Sequence, residues 1–290
     1  MNRILRRLIF LLLTFSLLGA FAVGAVCMGL KEKSGIAIAG KSTEGHILAE
    51  IIAQLLEHDL GMKVVRKYGL DGTQILFHAL ETKEIDLYVE YTGTAAATIL
   101  KKRATFEELK ETFLEKYNMV WLDPLGFQNR YGLMMDPEVA AKWGIETLSD
   151  LAAVSLQISF DQEFYGREEA DILRKGYHIP FEGLKLMDHT LLYVALKRGG
   201  TDVINGYTTD GFCKGLKILD DDQNLLPSYE AVPLTREDVL DKHPALVATL
   251  RKLKGAISQK EMQSLNYLVE KKGKTVYDVA HHFLKRNHFI

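Results

Sequence analysis

Short β-like runs alternate with longer amphipathic runs, and this alternation constrains the fold more than any other feature of the sequence. Residues 35–39, 63–66 and 85–89 are short segments typical of strands, and residues 43–56 and 72–80 carry apolar side chains at helical spacing. Strands separated by helices pair in parallel, because the crossover helix returns the chain to the same end of the sheet. The sequence therefore predicts an open α/β sheet.

The same alternation returns in the middle of the chain, between residues 135 and 226. Three strand candidates lie there, at residues 154–160, 184–187 and 202–205. From Thr235 onward the sequence is almost entirely helical in pattern. We therefore expect a first part of lobe one at 31–130, a second lobe at 131–228, and a mostly helical return to lobe one at 229–290.

Capping residues predict where several helices begin. Pairs of Ser or Thr with an acid three residues later mark four starts, at Thr105, Thr235, Ser258 and Thr275. Asp136 followed by Pro137 predicts a further helix start, and Gly144 predicts the end of that helix.

The first 30 residues differ in character from the rest. Arg3, Arg6 and Arg7 precede an apolar run at 8–26, which is typical of an export signal or of an N-terminal membrane anchor. Small residues at 23–25 suit cleavage, Cys27 is a candidate for lipidation, and the run is nearly long enough to span a bilayer uncleaved. All three interpretations place the protein outside the cytoplasm, in the periplasm or tethered to the outer face of the membrane.

Charge and cysteine content bear on several classes of function. The net charge is −2 and no basic block occurs beyond the N-terminus, which argues against nucleic-acid binding. The sequence contains two cysteines, of which only Cys213 lies in the predicted domain, and its apolar neighbours predict a buried thiol. No metal-binding, nucleotide-binding or nucleophile-elbow motif occurs, so we expect no cofactor, no metal and no catalysis.

Five segments, in this order along the chain, carry a resemblance to a known family. They are EIDLYVEYTGT (84–94), WLDPLGFQNRY (121–131), MDHTLLY (187–193), DVINGYTTDG (202–211) and LPSYEAVP (226–233). Together they resemble the substrate-binding proteins of ABC importers for glycine betaine, choline and related osmoprotectants. The likeness extends over about residues 35–290.

The resemblance implies a two-lobed periplasmic-binding-protein fold of type II topology, with the ligand cleft between the lobes. Crossover segments near 127–134 and 229–234 would join the lobes. The protein would act as a monomer that captures a quaternary ammonium compound such as glycine betaine, carnitine or choline, and would deliver it to an ABC permease in the membrane.

The family pattern carries over to four tyrosines, Tyr91, Tyr131, Tyr207 and Tyr229. A trimethylammonium group has no N–H to donate, so electron-rich ring faces are the selective way to bind it. The four tyrosines fall at predicted strand ends or lobe junctions, where open α/β folds bind ligands. The resemblance therefore implies a tyrosine cage.

A betaine ligand also carries a carboxylate, which needs hydrogen-bond donors. Thr92 and Thr94 lie where a helix is predicted to begin, and free backbone N–H groups there favour an anion. Arg167 matches an arginine of the family, although an ion pair with Glu168 or Glu169 would explain it equally well. Thr94 is neutral where some relatives carry an acid, which favours a ligand with a carboxylate.

One departure from the family pattern affects the identity of the ligand. Many relatives have glutamine after the glutamate of the first motif, whereas this chain has Gly45. Ser42, Thr43 or His46 are the candidates to supply the missing polar contact. Two other functions stay open at this point: a binding protein for an amino acid or another zwitterion, and a membrane-tethered sensor on the same fold.

Overall fold

A computed structural model describes residues 35–290, which form two five-stranded sheets, each packed against helices. The strands are β1 (Ile36–Gly40), β2 (Val64–Tyr68), β3 (Leu87–Tyr91), β4 (Met119–Trp121), β5 (Tyr131–Met135), β6 (Ile158–Phe160), β7 (Lys185–Leu186), β8 (Val203–Tyr207), β9 (Lys217–Ile218) and β10 (Ala231–Arg236).

The α-helices of this part of the chain range from single turns to 19 residues. They are α1 (Ser42–Leu60), α2 (Thr73–Glu81), α3 (Thr92–Ala95), α4 (Phe106–Tyr117), α5 (Pro137–Trp143), α6 (Gln162–Tyr165), α7 (Glu168–Lys175), α8 (His189–Lys197), α9 (Glu237–Lys242), α10 (Ala245–Leu250), α11 (Gln259–Glu270) and α12 (Val276–Arg286). A π-helical turn at Ala96–Leu100 follows α3 directly.

The first sheet has the strand order β2-β1-β3-β10-β4. β1 pairs in parallel with β2 and β3, which confirms the predicted α/β arrangement. β10 is antiparallel to both of its neighbours and was not predicted as a strand. Residues 229–234 were instead predicted as a crossover segment, and Pro233 in the middle of β10 lacks the N–H of a ladder residue.

The second sheet repeats this plan with the order β7-β6-β8-β5-β9. β6 is parallel to β7 and β8, and β5 is antiparallel to β8 and β9. In each sheet, the strand that follows the passage from the other sheet is antiparallel: β10 in the first sheet and β5 in the second. This strand lies between the parallel strands and the strand at the edge, which is β4 or β9. This arrangement is the type II topology that the resemblance implies.

The chain passes twice between the sheets, once between β4 and β5 and once between β9 and β10. The two passages run side by side. The Asn129 N–H donates to the Tyr229 carbonyl over 3.0 Å, and the Ala231 N–H donates to the Phe127 carbonyl over 3.2 Å. Strands begin at Tyr131 and Ala231, inside both predicted crossover segments, so the observed crossovers end earlier than expected.

Helix α1 is buried along most of its length against the first sheet, through side chains such as Ile47, Ile51 and Leu55. Its start packs tightly against the end of β1. A Cβ atom at Gly40 would lie 2.2 Å from the carbonyl oxygen of Gly45, so this approach requires glycine. The close contact fixes the first turn of α1, and with it Glu44, relative to the carboxyl end of the sheet.

Most of the predicted caps are confirmed. Thr105 forms a capping box at α4, Ser258 and Thr275 accept from the backbone N–H three residues later, and Asp136 caps α5. Gly144 ends α5 with φ 68°. The prediction at Thr235 was wrong, because this residue belongs to β10 and its hydroxyl donates to the carbonyl of Asp86.

Residues 1–34, which include the predicted signal or anchor segment and Cys27, lie outside the described residues. Within residues 35–290, no helix combines the length and apolar character that a membrane crossing needs. Cys213 is buried, as predicted from its apolar neighbours.

Candidate functional site

A cleft of about 790 Å³ lies between the two lobes and is lined from both sides. Its walls come from the β1–α1 turn, the start of α2, the end of β3, the first crossover, the α6–α7 turn, the end of β8 and helix α11. Six of the seven residues predicted for the site line this cleft: Tyr91, Thr94, Tyr131, Arg167, Tyr207 and Tyr229.

Thr92 is the predicted residue that does not line the cleft. Its hydroxyl donates to the Ser228 carbonyl over 3.2 Å and accepts from the Glu230 N–H over 3.1 Å. Thr92 therefore attaches the end of β3 to the second crossover, next to Tyr229.

Tyr131 and Tyr207 form a stacked pair on the second lobe. They face each other across β5 and β8 in register, with ring centroids 4.3 Å apart and hydroxyl oxygens 2.6 Å apart. Phe164 supports Tyr131 from behind at 4.9 Å between ring centroids. Direct cross-strand neighbours on one face of a sheet are held close by the backbone, so β-sheet register sets this pair.

Tyr91 lies on the first lobe and Tyr229 on the second crossover. The Tyr91 hydroxyl donates to Glu44, and the Tyr229 hydroxyl donates to Glu169 over 2.7 Å. A Cβ atom at Gly93 would lie 2.8 Å from the Tyr229 ring, so glycine permits this contact. Tyr229 thus contacts the first lobe through its ring and the second lobe through its hydroxyl.

All four cleft tyrosines are neutral phenols at physiological pH. Burial raises the pKa of Tyr229 to about 12, with the charge of Glu169 adding to the effect. Burial is also the main cause that raises the pKa of Tyr91, Tyr131 and Tyr207. Their hydroxyls therefore stay available as donors that fix the orientation of the rings.

Lys41 also lines the cleft and was missed at the sequence level. Its Nζ lies 2.5 Å from Glu90 Oε1, 2.6 Å from Thr73 Oγ1 and 5.5 Å from the centroid of Tyr91. Lys41 comes directly after β1, at the carboxyl end of a parallel strand where open α/β folds bind ligands. That position was the signal that could have identified it.

Arg167 lines the cleft and also forms one of the ion pairs that the sequence left open as its alternative role. Its guanidinium carbon lies 5.1 Å from the Tyr131 ring centroid in the cleft, and its Nε lies 3.2 Å from Glu169. Glu169 is buried. Glu168 pairs instead with Arg103 of the first lobe at 2.5 Å.

Glu44 is the buried carboxylate of the motif that departs from the family pattern. It accepts from the Tyr91 hydroxyl, from Asn129 Nδ2 over 3.0 Å and from Asn266 Nδ2 over 2.8 Å. Burial raises the pKa of Glu44 even though these hydrogen bonds oppose the shift. Its partners belong to β3, to the first crossover and to α11, so one side chain connects three walls of the cleft.

Two of the three candidates for the missing glutamine contact line the cleft, and the third does not. Ser42 and Thr43 line the cleft at the start of α1. His46 packs against the Tyr68 ring, with 4.8 Å between ring centroids, and is not a lining residue.

A charged network lies behind Tyr207. His189 bridges two carboxylates, with Nδ1 3.0 Å from Asp161 and Nε2 3.1 Å from Asp210. Asp210 also accepts from the Tyr193 hydroxyl over 2.7 Å and from the Tyr207 N–H over 3.3 Å. The hydrogen bond to Asp210 is the largest cause that raises the pKa of His189 to about 9. Through Asp210, the network holds the turn after β8.

Among residues 35–290, no group of three or more His, Cys, Asp or Glu is placed to hold a metal ion.

Comparison with known proteins gives a consistent set of relatives. Residues 36–286 match the family model described as the substrate binding domain of ABC-type glycine betaine transport systems. The chain is 35% identical over 277 residues to a carnitine transport binding protein of Listeria monocytogenes strain 10403S, covering 91% of this chain and 90% of that protein.

A second relative is the ergothioneine transport permease/ergothioneine binding protein of Helicobacter pylori strain G27. It is 37% identical over 268 residues, which cover 89% of this chain and 48% of the relative, so the chain spans about half of its length. A solved structure described as a glycine betaine/carnitine/choline ABC transporter matches with a TM-score of 0.84 and 33% identity. The match covers 88% of this chain and 99% of that one.

The His189 bridge predicts a specific dependence of stability on pH. Because its folded pKa of about 9 lies above the ordinary value of 6.5, the bridge stabilises fully below pH 6.5 and is lost as pH rises through 9. We expect the difference in free energy of unfolding between wild type and His189→Gln to be largest at pH 6 and to shrink toward pH 10. Urea unfolding at several pH values measures it.

The control for this measurement is His282→Gln, which changes an exposed histidine on α12. Its difference from wild type should show no comparable loss across the same pH range. A His189→Gln difference that stays constant from pH 6 to pH 10 would contradict a charged bridge.

Proposed function

This chain belongs to the family of substrate-binding domains of ABC-type glycine betaine transport systems, and we propose that its cleft captures a trimethylammonium carboxylate for import. One observation carries the proposal: four tyrosines, from both lobes and the second crossover, line the same cleft as Lys41 and Arg167. Aromatic faces suit the cationic end of such a ligand, and the two basic side chains suit its carboxylate.

The tyrosines supply the cation-binding half of the proposed site. A trimethylammonium group spreads its charge over methyl groups, and each ring face contributes roughly 0.5–2 kcal/mol to holding it. Four faces contribute at most about 8 kcal/mol before the costs of association are subtracted, so micromolar binding also needs burial of the methyl groups and the contacts to the carboxylate. Each hydroxyl already has a protein partner, so little ring freedom is lost on binding.

Lys41, Thr94 and Arg167 supply the anion-binding half. Arg167 offers a planar fork that matches a carboxylate, and Lys41 adds a compact positive charge at the end of β1. Thr94 adds a neutral hydroxyl and repels no anion. Thr92 has a supporting role in the proposal, because its hydroxyl positions the crossover that carries Tyr229.

The named ligands of the relatives agree with this pair of subsites. Ergothioneine and carnitine, in the names of two relatives, both combine a trimethylammonium group with a carboxylate. We propose that this shared headgroup is what the cage and the basic residues recognise. Choline has no carboxylate and would make no contact of this kind with the basic residues.

The proposed partner is a membrane permease. The relative from Helicobacter pylori joins a transport permease and a binding protein in its name, which supports delivery to such a partner. The relatives are named as transport proteins, and we propose a binding role rather than a catalytic one. We further propose a monomer that acts outside the cytoplasm.

Removing one ring of the stacked pair tests the cage. Tyr207→Leu should weaken glycine betaine about 2- to 30-fold, because one cation–π face is lost. Tyr207→Phe should stay closer to wild type because the ring remains. Isothermal titration calorimetry on purified protein, freed of copurified ligand, gives the dissociation constants.

Tyr277→Leu is the matched control, since Tyr277 is exposed on α12 and does not line the cleft. It should bind glycine betaine as wild type does. The cage proposal fails if Tyr207→Leu also binds with wild-type affinity.

A pair of ligands tests the role of Arg167. Loss of its charge-assisted hydrogen bonds in Arg167→Gln should weaken glycine betaine about tenfold or more, whereas choline should change much less. The ratio of the two affinities matters here, because Arg167 also pairs with Glu169 and any structural effect acts on both ligands. Equal losses for glycine betaine and choline would show that Arg167 supports the structure and does not bind a carboxylate.

A further inference from the structure

One wall of the cleft offers hydrogen-bond acceptors and negative charge. We name it the acceptor wall and define it by Asn129, Asp210 and Asn266, with Glu270 at its exposed rim. Glu270 lies close to the segment that carries Asp210, because a Cβ atom at the next residue, Gly211, would stand 2.9 Å from Glu270 Oε2. The wall therefore contrasts with the basic Lys41 and Arg167 elsewhere in the same cleft.

Glu44 determines which way the two amides point. Asn129 Nδ2 and Asn266 Nδ2 both donate to its carboxylate, and Asn266 Nδ2 donates as well to the Thr209 carbonyl over 2.8 Å. Rotating either amide by 180° would bring its oxygen against the carboxylate of Glu44. The orientation of both amides is therefore set by charge.

This orientation leaves two acceptors without a donor. Within residues 35–290, Asn129 Oδ1 and Asn266 Oδ1 are buried atoms that have no hydrogen-bond partner. Asn266 as a whole is only 3% exposed. A buried acceptor without a donor is costly, and most such atoms in native proteins are paired when the protein is in its working state.

Glu270 adds negative charge at the rim of the wall, whereas Asp210 already accepts from His189, Tyr193 and Tyr207. Burial raises the pKa of Glu270, and the charges of Asp210 and Glu44 raise it further, so these acids lie near one another. Glu44 supports both the acceptor wall and the cage, because the carboxylate that orients the two amides also accepts from the Tyr91 hydroxyl. A group at the wall is thus next to the cage and within reach of one ligand molecule.

We propose that the acceptor wall is a second subsite, which binds a donor-bearing end group of the ligand. It rests on the proposed function, since the same molecule places its trimethylammonium group in the cage. The chemistry favours a betaine with N–H groups on a ring, as in ergothioneine, and then one with a hydroxyl, as in carnitine. Glycine betaine has no donor to offer and leaves the two amide oxygens unpaired.

The subsite also connects ligand identity to the approach of the lobes. Asn266 lies on α11 of the first lobe, Asp210 follows β8 of the second lobe, and Asn129 lies on the crossover between them. A donor group that contacts all three side chains bridges both lobes. Ligands with such a group therefore favour the closed arrangement more than glycine betaine does.

Calorimetry on the purified full chain, freed of copurified ligand, tests the selectivity. Ergothioneine should bind about tenfold or more tightly than glycine betaine, because it satisfies acceptors that glycine betaine leaves unpaired. Carnitine and γ-butyrobetaine form a matched pair that differs by one hydroxyl. Carnitine should bind more tightly of the two.

Asn129→Ala removes one acceptor of the wall. It should reduce the ratio of ergothioneine to glycine betaine affinity about fivefold or more. Using the ratio cancels the loss of the Asn129 bond to Glu44, which acts on both ligands. Asn287→Ala, at the exposed end of α12 and outside the cleft, should leave the ratio unchanged.

The outcomes separate the two proposals. If glycine betaine binds as tightly as ergothioneine, and carnitine no better than γ-butyrobetaine, the subsite is overturned while the cage proposal stands. An unchanged ratio in Asn129→Ala also overturns it. If no betaine binds at all, the proposed function fails and the subsite fails with it.

Discussion

The buried carboxylate of Glu44 is the interaction on which the cleft depends. It sits in the first turn of α1, where the close contact of Gly40 and Gly45 fixes it, and it accepts from Tyr91, Asn129 and Asn266. Burying a carboxylate is costly unless donors surround it, and here each donor comes from a different wall. The same bonds orient a cage ring and both amide oxygens of the acceptor wall.

The four tyrosines of the proposed cage are distributed over both lobes and a crossover, so ligand binding would be coupled to closure. Tyr91 belongs to the first lobe, Tyr131 and Tyr207 to the second, and Tyr229 to a crossover. In the proposed site a cation would gain all four faces only when the lobes approach, so contacts with the ligand would stabilise the closed arrangement. The exposed pair of Arg103 and Glu168 also bridges the lobes, but pairs of this kind contribute little.

The sequence was sufficient for features that depend on local pattern and on motifs. Strands β1 to β3 were predicted because periodicity is a local signal, whereas the cleft position of the four tyrosines was implied by the family resemblance and supported by their place at predicted strand ends. Strand β10 was missed because residues 229–234 were assigned to a crossover segment, and Thr235, which belongs to that strand, was mistaken for a helix start. Thr92 and Thr94 were both predicted for the site, but only Thr94 lines the cleft. The reason is that residues two apart in a helical turn point about 200° apart.

Contacts between distant segments could not be predicted in this way. Nothing in the sequence pairs Glu44 with Asn129 and Asn266. Lys41 was missed because its contact with the buried Glu90 joins two segments that are distant in the sequence. We propose that rings from both lobes enclose a methylated cation, and a crystal structure with glycine betaine bound is the direct test. We expect the ammonium nitrogen to lie within about 6 Å of the ring centroids of all four tyrosines. A nitrogen bound elsewhere, with these rings turned away from it, would contradict the account.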